Sequence, residues 1–381
     1  MAVSVLCALA TLSTLQAGPP AKHAATLPAR LDSLVRAYVA RGEFSGVVLV
    51  AARGAIVYQH AFGEANREWH VPNTIATRFR IASTTKQFTA ALVLRLVESG
   101  KLRLDGHIVD YLPDYPRPQG EQITLEHLLT HSSGLPDYPG LPRFYEDHAT
   151  RAHTTRELLA LFDTLPLAFP PGSKWEYSNS GYVVLGAIIE RVTDTTYAAA
   201  LRQHLLIPLG LNDTGYDDPA EITERRASGY IRTADGVRNA PFIDPSTVFS
   251  AGMLRSSAHD LLRWAELLRA GRVFRDTADA AAMVAPHLPT GLPLGAYGYG
   301  VFIGTQSLGG RPTTVIQHGG TIYGFTSGFW RMPSEDCVVI VLDNHMSHQV
   351  PALTAGLADV LYSTPRAGSS PGDVPRGPPA H

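Results

Sequence analysis

The stretch Phe79-Arg80-Ile81-Ala82-Ser83-Thr84-Thr85-Lys86 decides how the rest of the chain is read. Phe79-Arg80-Ile81-Ala82 leads into Ser83–Ser99, where Phe88, Ala91, Leu92 and Leu96 recur at spacings of three and four. That period predicts a helix with an apolar face, and Gly100 ends it as a C-cap glycine does. Ser83 then falls in the first helical turn, with Lys86 three residues on and on the same face. Free backbone N–H groups and the positive end of the helix dipole favour a developing alkoxide there. A serine hydroxyl is a poor nucleophile until a neighbour takes its proton, and a desolvated lysine can be tuned to help. Read alone, the four residues Ser83–Lys86 fit an N-cap serine and a solvated lysine equally well.

Working outward, Leu31, Leu34, Val35 and Tyr38 predict a first helix over Leu27–Arg41. Gly46–Ala52 and Ile56–Phe62, separated by Arg53-Gly54, read as a β-hairpin. Between Asp105 and Leu294 the chain is mostly helical segments broken by Pro and Gly, among them Thr155–Leu165, Gly181–Thr193, Tyr197–Ile207 and Ala258–Arg269. Strand signals return at Thr313–Gln317, Gly324–Met332 and Cys337–Leu342, and a last helix covers Val350–Tyr362. Ends that share β character can pair. The expected architecture is therefore α+β: one antiparallel sheet flanked by terminal helices, with a mostly helical lobe inserted. The expected division is 27–104 plus 295–363 for the α/β lobe and 105–294 for the helical lobe, with a cleft between them.

The net charge of −2 gives no electrostatic case for nucleic acid or anionic lipid. Residues 1–22 read as a signal peptide and leader: an apolar run ending in small residues, with cleavage expected after Ala17. That run is too short to span a bilayer, and no later segment is long and apolar enough for an integral membrane span. The expected location is therefore periplasmic or extracellular. Residues 364–381, rich in Pro and Gly, read as a disordered tail. Once Cys7 leaves with the leader, Cys337 has no cysteine to pair with, and its apolar run Cys337–Val341 marks a buried strand thiol.

Two more stretches carry chemistry. Tyr177-Ser178-Asn179 stands just before the helix that starts near Gly181, and a tyrosinate held near a cation can act as general base for a serine. His318-Gly319-Gly320-Thr321 follows directly on the strand Thr313–Gln317. Glycines there let a substrate backbone come close, and a backbone N–H could complete an oxyanion hole with that of Ser83. His127 and His131 have a metal-like i, i+4 spacing but no evident third ligand, so structural hydrogen bonding is expected and no metal or cofactor is called for.

Serine and lysine early, tyrosine and asparagine in the helical middle, and a glycine-rich strand late: this order resembles the serine β-lactamase and penicillin-binding protein superfamily. It is most similar to the class C β-lactamases, their esterase relatives and the related D-Ala-D-Ala carboxypeptidases. Ile123–Leu135 and Ser250-Ala251-Gly252-Met253 are also similar to stretches of these relatives, so the resemblance covers about Leu27–Tyr362. It implies a β-lactamase/transpeptidase-like fold and acyl-enzyme chemistry. It makes Ser83 the nucleophile, Lys86 its assistant, and Tyr177 the general base and later the acid. Asn179, His318, Gly319, Gly320 and Thr321 would bind substrate, and the N–H groups of Ser83 and Thr321 would hold the oxyanion.

One departure matters. His318 stands where β-lactamases of this kind usually carry lysine, and a histidine with an ordinary pKa of about 6.5 is only partly charged at neutral pH. Three readings follow: a serine hydrolase of esters, amides or D-amino-acid peptides, a true class C-type β-lactamase, or a catalytically idle scaffold. The expected partner is a small-molecule or peptide substrate, and nothing in the sequence sets the oligomeric state.

Overall fold

A computed structural model describes residues 25–363. The expected leader, Cys7 and the C-terminal tail lie outside the described residues. Helix α1 (Leu27–Ala40) starts with a proline where a missing N–H does no harm, and it buries Leu31 and Val35. Strands β1 (Gly46–Ala52) and β2 (Ala55–Phe62) follow. Arg53 and Gly54 between them both have positive φ, as a two-residue I′ hairpin turn requires.

Helices α2 (Lys86–Glu98), α3 (Asn179–Thr193), α4 (Ala258–Arg269) and α5 (Thr277–Met283) lead to a run of strands. These are β3 (Leu288–Leu292), β4 (Gly295–Tyr297), β5 (Phe302–Leu308), β6 (Arg311–Ile322), β7 (Phe325–Met332) and β8 (Cys337–Asp343). Helix α6 (Val350–Tyr362) closes the described chain. The eight strands form one antiparallel sheet in the order β3-β4-β5-β6-β7-β8-β1-β2.

The first strand pairs with the last, from Gly46 opposite Asp343 to Ala52 opposite Cys337. Alternation along these strands sends side chains to two cores. Val48, Val50, Val339 and Val341 pack with Leu31, Val35, Leu353 and Leu357 of the terminal helices. Val47, Leu49, Ile340 and Leu342 join the core that holds α2, α3 and α4. Each such side chain contributes about 1.5–3 kcal/mol when fully buried. The fold is the expected α+β arrangement, an antiparallel sheet with the two terminal helices on one face. No helix among the described residues is long and apolar enough to cross a membrane.

The structure differs from the sequence expectations in three places. Ser83 lies in a 3-10 turn, Ala82–Thr85, and the α-helix begins only at Lys86. His318–Thr321 does not follow a strand; it lies inside β6, paired with Thr326–Phe329 of β7. Strands β3, β4 and β5 had no clear sequence signal, and β3 joins the sheet ahead of residue 295. Its Pro289 and Gly291 disfavour a central strand but suit the sheet edge that β3 occupies.

Candidate active site

The turn carrying Ser83 is held by strands far along the chain. The Thr84 hydroxyl donates to the His318 carbonyl at 3.2 Å, and the Ser327 hydroxyl donates to the Ile81 carbonyl at 2.7 Å. The Thr85 hydroxyl accepts from the Leu254 amide at 3.1 Å. Ala82 is bent to a φ of 48°, a conformation an L-residue keeps only when its surroundings over-determine it. Gly320 of β6 lies against this turn so closely that a Cβ there would meet the Ser83 nitrogen at 2.4 Å. At three residues per turn, a 3-10 geometry aligns side chains i and i+3, which brings Lys86 to Ser83.

Lys86 is fully buried. Its Nζ is 3.2 Å from Ser83 Oγ, 2.8 Å from Asn179 Oδ1 and 2.8 Å from the Ala251 carbonyl. Burial brings its pKa down to about 7, against the opposing pull of Asp137. The two shorter contacts are to oxygens that only accept. In the neutral amine they use both N–H bonds, leaving the lone pair for the hydroxyl of Ser83.

Tyr177 and Asn179 arrive together at the start of α3. The Ser178 hydroxyl caps that helix by accepting from the Gly181 amide. His131 grips the segment on both sides of Tyr177: its carbonyl accepts from the Glu176 amide and its Nδ1 from the Ser178 amide. Its ring lies 4.3 Å from that of Tyr177. The Lys86 ammonium lies 4.7 Å from the Tyr177 ring centroid. The buried Tyr177 hydroxyl has no partner at ordinary hydrogen-bonding geometry. Burial raises its pKa, with the Ser83 hydroxyl acting in the opposite direction, so the phenol keeps its proton at neutral pH.

Asp137 is a site residue that sequence reading missed. Its carboxylate accepts from the Asn179 amide nitrogen at 2.6 Å and from Asn179 Nδ2 at 3.2 Å. That fixes the Asn179 side chain with its oxygen towards Lys86. Burial raises the Asp137 pKa while these bonds and Lys86 oppose the rise. The stretch before it, Ile123–Leu135, was noticed for its resemblance, but nothing in the sequence marks Asp137 itself.

His318 is buried, not aimed at open cleft. Its Nε2 is 3.2 Å from the Tyr297 hydroxyl and its Nδ1 is 2.5 Å from the Gly319 carbonyl, beside the ring of Phe302. Burial first, then the charge on Lys86, push its pKa down to about 3. It is therefore neutral at physiological pH, not partly charged as its ordinary value suggests. Tyr297 is the second residue that sequence reading missed. His127 serves a capping box, its Nδ1 accepting from the Thr124 amide, and no group of three or more candidate metal ligands occurs among the described residues.

A cavity of about 180 Å³ opens at Ser83. Asn179 and Thr321 share its polar side, and Phe144, Ile243, Ile322 and Tyr323 supply apolar wall. No Lys, Arg, His, Asp or Glu lines it.

The arrangement sets a hydroxyl against a buried lysine on a helical turn packed on β6, a geometry that can support nucleophilic chemistry at serine. Residues 31–362 match the sequence profile of the family described as Beta-lactamase, and the chain belongs to that family. It is 36% identical over 296 residues to "Esterase EstB" of Burkholderia gladioli, covering 68% of this chain and 74% of that protein. A crystal structure of a penicillin-binding protein from Bacillus halodurans superimposes with a TM-score of 0.77 at 29% identity, covering 86% of this chain and 98% of that one. The D-amino acid amidase of Ochrobactrum anthropi SV3, solved with L-phenylalanine amide, gives a TM-score of 0.75 at 28% identity, covering 88% and 98%. The chain is a hydrolase of this β-lactamase-related family.

Proposed function

We propose that Ser83 is the nucleophile of an acyl-enzyme cycle on esters and amides that carry no free carboxylate, D-amino-acid amides included. The observation that carries this is the 3.2 Å approach of Ser83 Oγ to a Lys86 whose pKa is near 7. Neutral Lys86 takes the hydroxyl proton as Oγ attacks the carbonyl carbon. The backbone N–H groups of Ser83 and Thr321 hold the oxyanion, a role supported by the close packing of Gly320 on the Ser83 nitrogen. Tyr177 hands its proton to the leaving oxygen or nitrogen and recovers one from Lys86. Water then attacks the acyl carbon and gives a proton to neutral Lys86, which returns it to Ser83 Oγ as the acyl C–Oγ bond breaks and the carboxylic acid leaves. Tyr177 thus serves as acid and relay, because burial disfavours the tyrosinate that a base would need.

An acyl group with a free carboxylate would find no cation in the cavity wall, and the neutral His318 supplies none. That favours esters and amides over β-lactam antibiotics. The names of two relatives, an esterase and a D-amino acid amidase, support the same choice. Intact-mass measurement after exposure to short p-nitrophenyl esters, D-amino-acid amides and penicillin tests it, with Ser83→Ala as control. An adduct with penicillin and none with esters overturns the substrate class. No adduct with any of the panel or with a fluorophosphonate points to an idle scaffold. Export is part of the same proposal, supported by the apolar run before Ala17. A secreted protein beginning at Gly18 is the expected product, read by N-terminal sequencing.

A further inference from the structure

A second cavity of about 210 Å³ lies under α4, built on one row of the sheet. Ala51, Val338, Arg331 and Ile316 are successive cross-strand partners on β1, β8, β7 and β6. Residues directly opposite one another point to the same face, so these four side chains form a continuous floor. Leu262, Ala265 and Leu268 of α4 form the roof.

One residue of that floor does not suit an apolar core. Arg331 is only 8% exposed, and its Nε and Nη2 are buried without a hydrogen-bond partner. Burial lowers its pKa only to about 10, so the guanidinium stays charged. Two carboxylates also line the cavity, but neither pairs with it. Asp336 is bonded to Arg269 at 2.9 Å, and the half-buried Glu266 forms no ion pair with Arg331. A buried cation without a partner is strongly unfavourable, and its removal by an isosteric apolar residue is commonly stabilising. Arg331 lines the cavity, where its positive charge favours an anion.

We propose that this cavity binds a small amphipathic carboxylate, its head group drawn by the charge of Arg331 and its apolar body between the sheet and α4. A phosphate would bring further charge and oxygens into a wall that is otherwise mostly apolar. The site shares no lining residue with the Ser83 cavity. Along β6, Ile316 and Gly320 are four residues apart, a separation of about 13 Å. The proposal therefore stands whether or not the substrate class above is right.

Calorimetric titration of the full chain with octanoate tests this. One carboxylate should bind per chain. Arg331→Met should weaken binding at least tenfold while leaving p-nitrophenyl ester turnover unchanged. It should also raise the melting temperature of the ligand-free protein, because an unpaired buried cation is gone. The uncharged 1-octanol should bind at least tenfold more weakly than octanoate, and inorganic phosphate should not bind over the same concentrations. Ala265→Leu, which fills the cavity and leaves Arg331 in place, should abolish octanoate binding and guards against a misfolded Arg331 variant. Octanoate binding that neither substitution weakens, absence of binding to the folded wild-type chain, or phosphate binding as tight as octanoate overturns the proposal.

Discussion

Lys86 Nζ stands 2.8 Å from Asn179 Oδ1, closer than its 3.2 Å to the Ser83 hydroxyl it would deprotonate. The amide, itself turned by Asp137, thus uses one N–H of the amine and leaves its lone pair to the serine.

The first expectation is a pH profile. In the proposed cycle Lys86 works as a neutral amine, and its pKa is near 7. Protonation below that value removes the base, so kcat/KM should fall as pH drops through about 7. Asp137 raises the Lys86 pKa, so Asp137→Asn should move this acidic limb to lower pH. Lys86→Ala should reduce kcat/KM by about 10²–10⁴-fold above pH 7, the range for loss of a positioned base, and by less below it, where the wild-type amine is already protonated. Steady-state kinetics between pH 5 and 9 read all three.

Tyr177→Phe should separate substrates by leaving group. p-Nitrophenolate departs without a proton, so turnover of p-nitrophenyl esters should change little. Alkyl esters and amides need the proton and should slow by about 10²-fold or more. Equal losses on both substrate kinds would return Tyr177 to the role of base for Ser83.

Gly320→Ala tests the packing of β6 on the Ser83 turn. Its Cβ would meet the Ser83 nitrogen at 2.4 Å, so either the turn or the strand must move. A displacement of about 1 Å is enough to slow catalysis about 10²-fold. The melting temperature should fall by only a few degrees, since the contact is local, and circular dichroism should be unchanged.

His318 offers a stability test with a definite sign. Its folded pKa is about 3, below the ordinary 6.5 of the unfolded chain. Protonation therefore favours unfolding, and the stabilisation present above pH 6.5 is lost as pH falls towards 3. Denaturant midpoints should decline over that window in the wild type. His318→Gln, which cannot titrate, should show a shallower decline.

Part of this candidate site was legible in the sequence. The spacing of three between Ser83 and Lys86 and the place of Tyr177 and Asn179 at the start of a helix carry little singly; their order along the chain is what singled them out, and the fold brings Lys86 to both Ser83 and Asn179. The hairpin Gly46–Phe62 and the apolar strand at Cys337 alternate or run apolar as strands do, so the sheet could be anticipated. Asp137 was not legible, since its meeting with Asn179 depends on how the chain folds between them. The neutrality of His318 comes from burial and the nearby Lys86, and its neighbours Tyr297 and Phe302 lie on two strands that left little sequence signal: Gly295–Tyr297 is three residues long, and Phe302–Leu308 contains a glycine. The 3-10 turn at Ser83 was hidden for a similar reason. Contacts to His318 and Ser327 impose it, and the intrinsic preference of Ala-Ser-Thr-Thr does not.

The pairing of Gly46–Ala52 with Cys337–Asp343 has a consequence for how the molecule is born. The N-terminal β-hairpin must wait for its neighbour until residues 337–343 have been synthesised, and the serine turn must wait for the strands carrying His318 and Ser327. Contacts spanning more than two hundred residues are slow to form, because loop closure precedes any reward from them. Helices between those strands can form earlier, but the Ser83 turn cannot be completed in a chain that still lacks the strands carrying His318 and Ser327. Hydrolytic activity should therefore appear late in refolding, together with sheet closure and after most of the helical signal has returned.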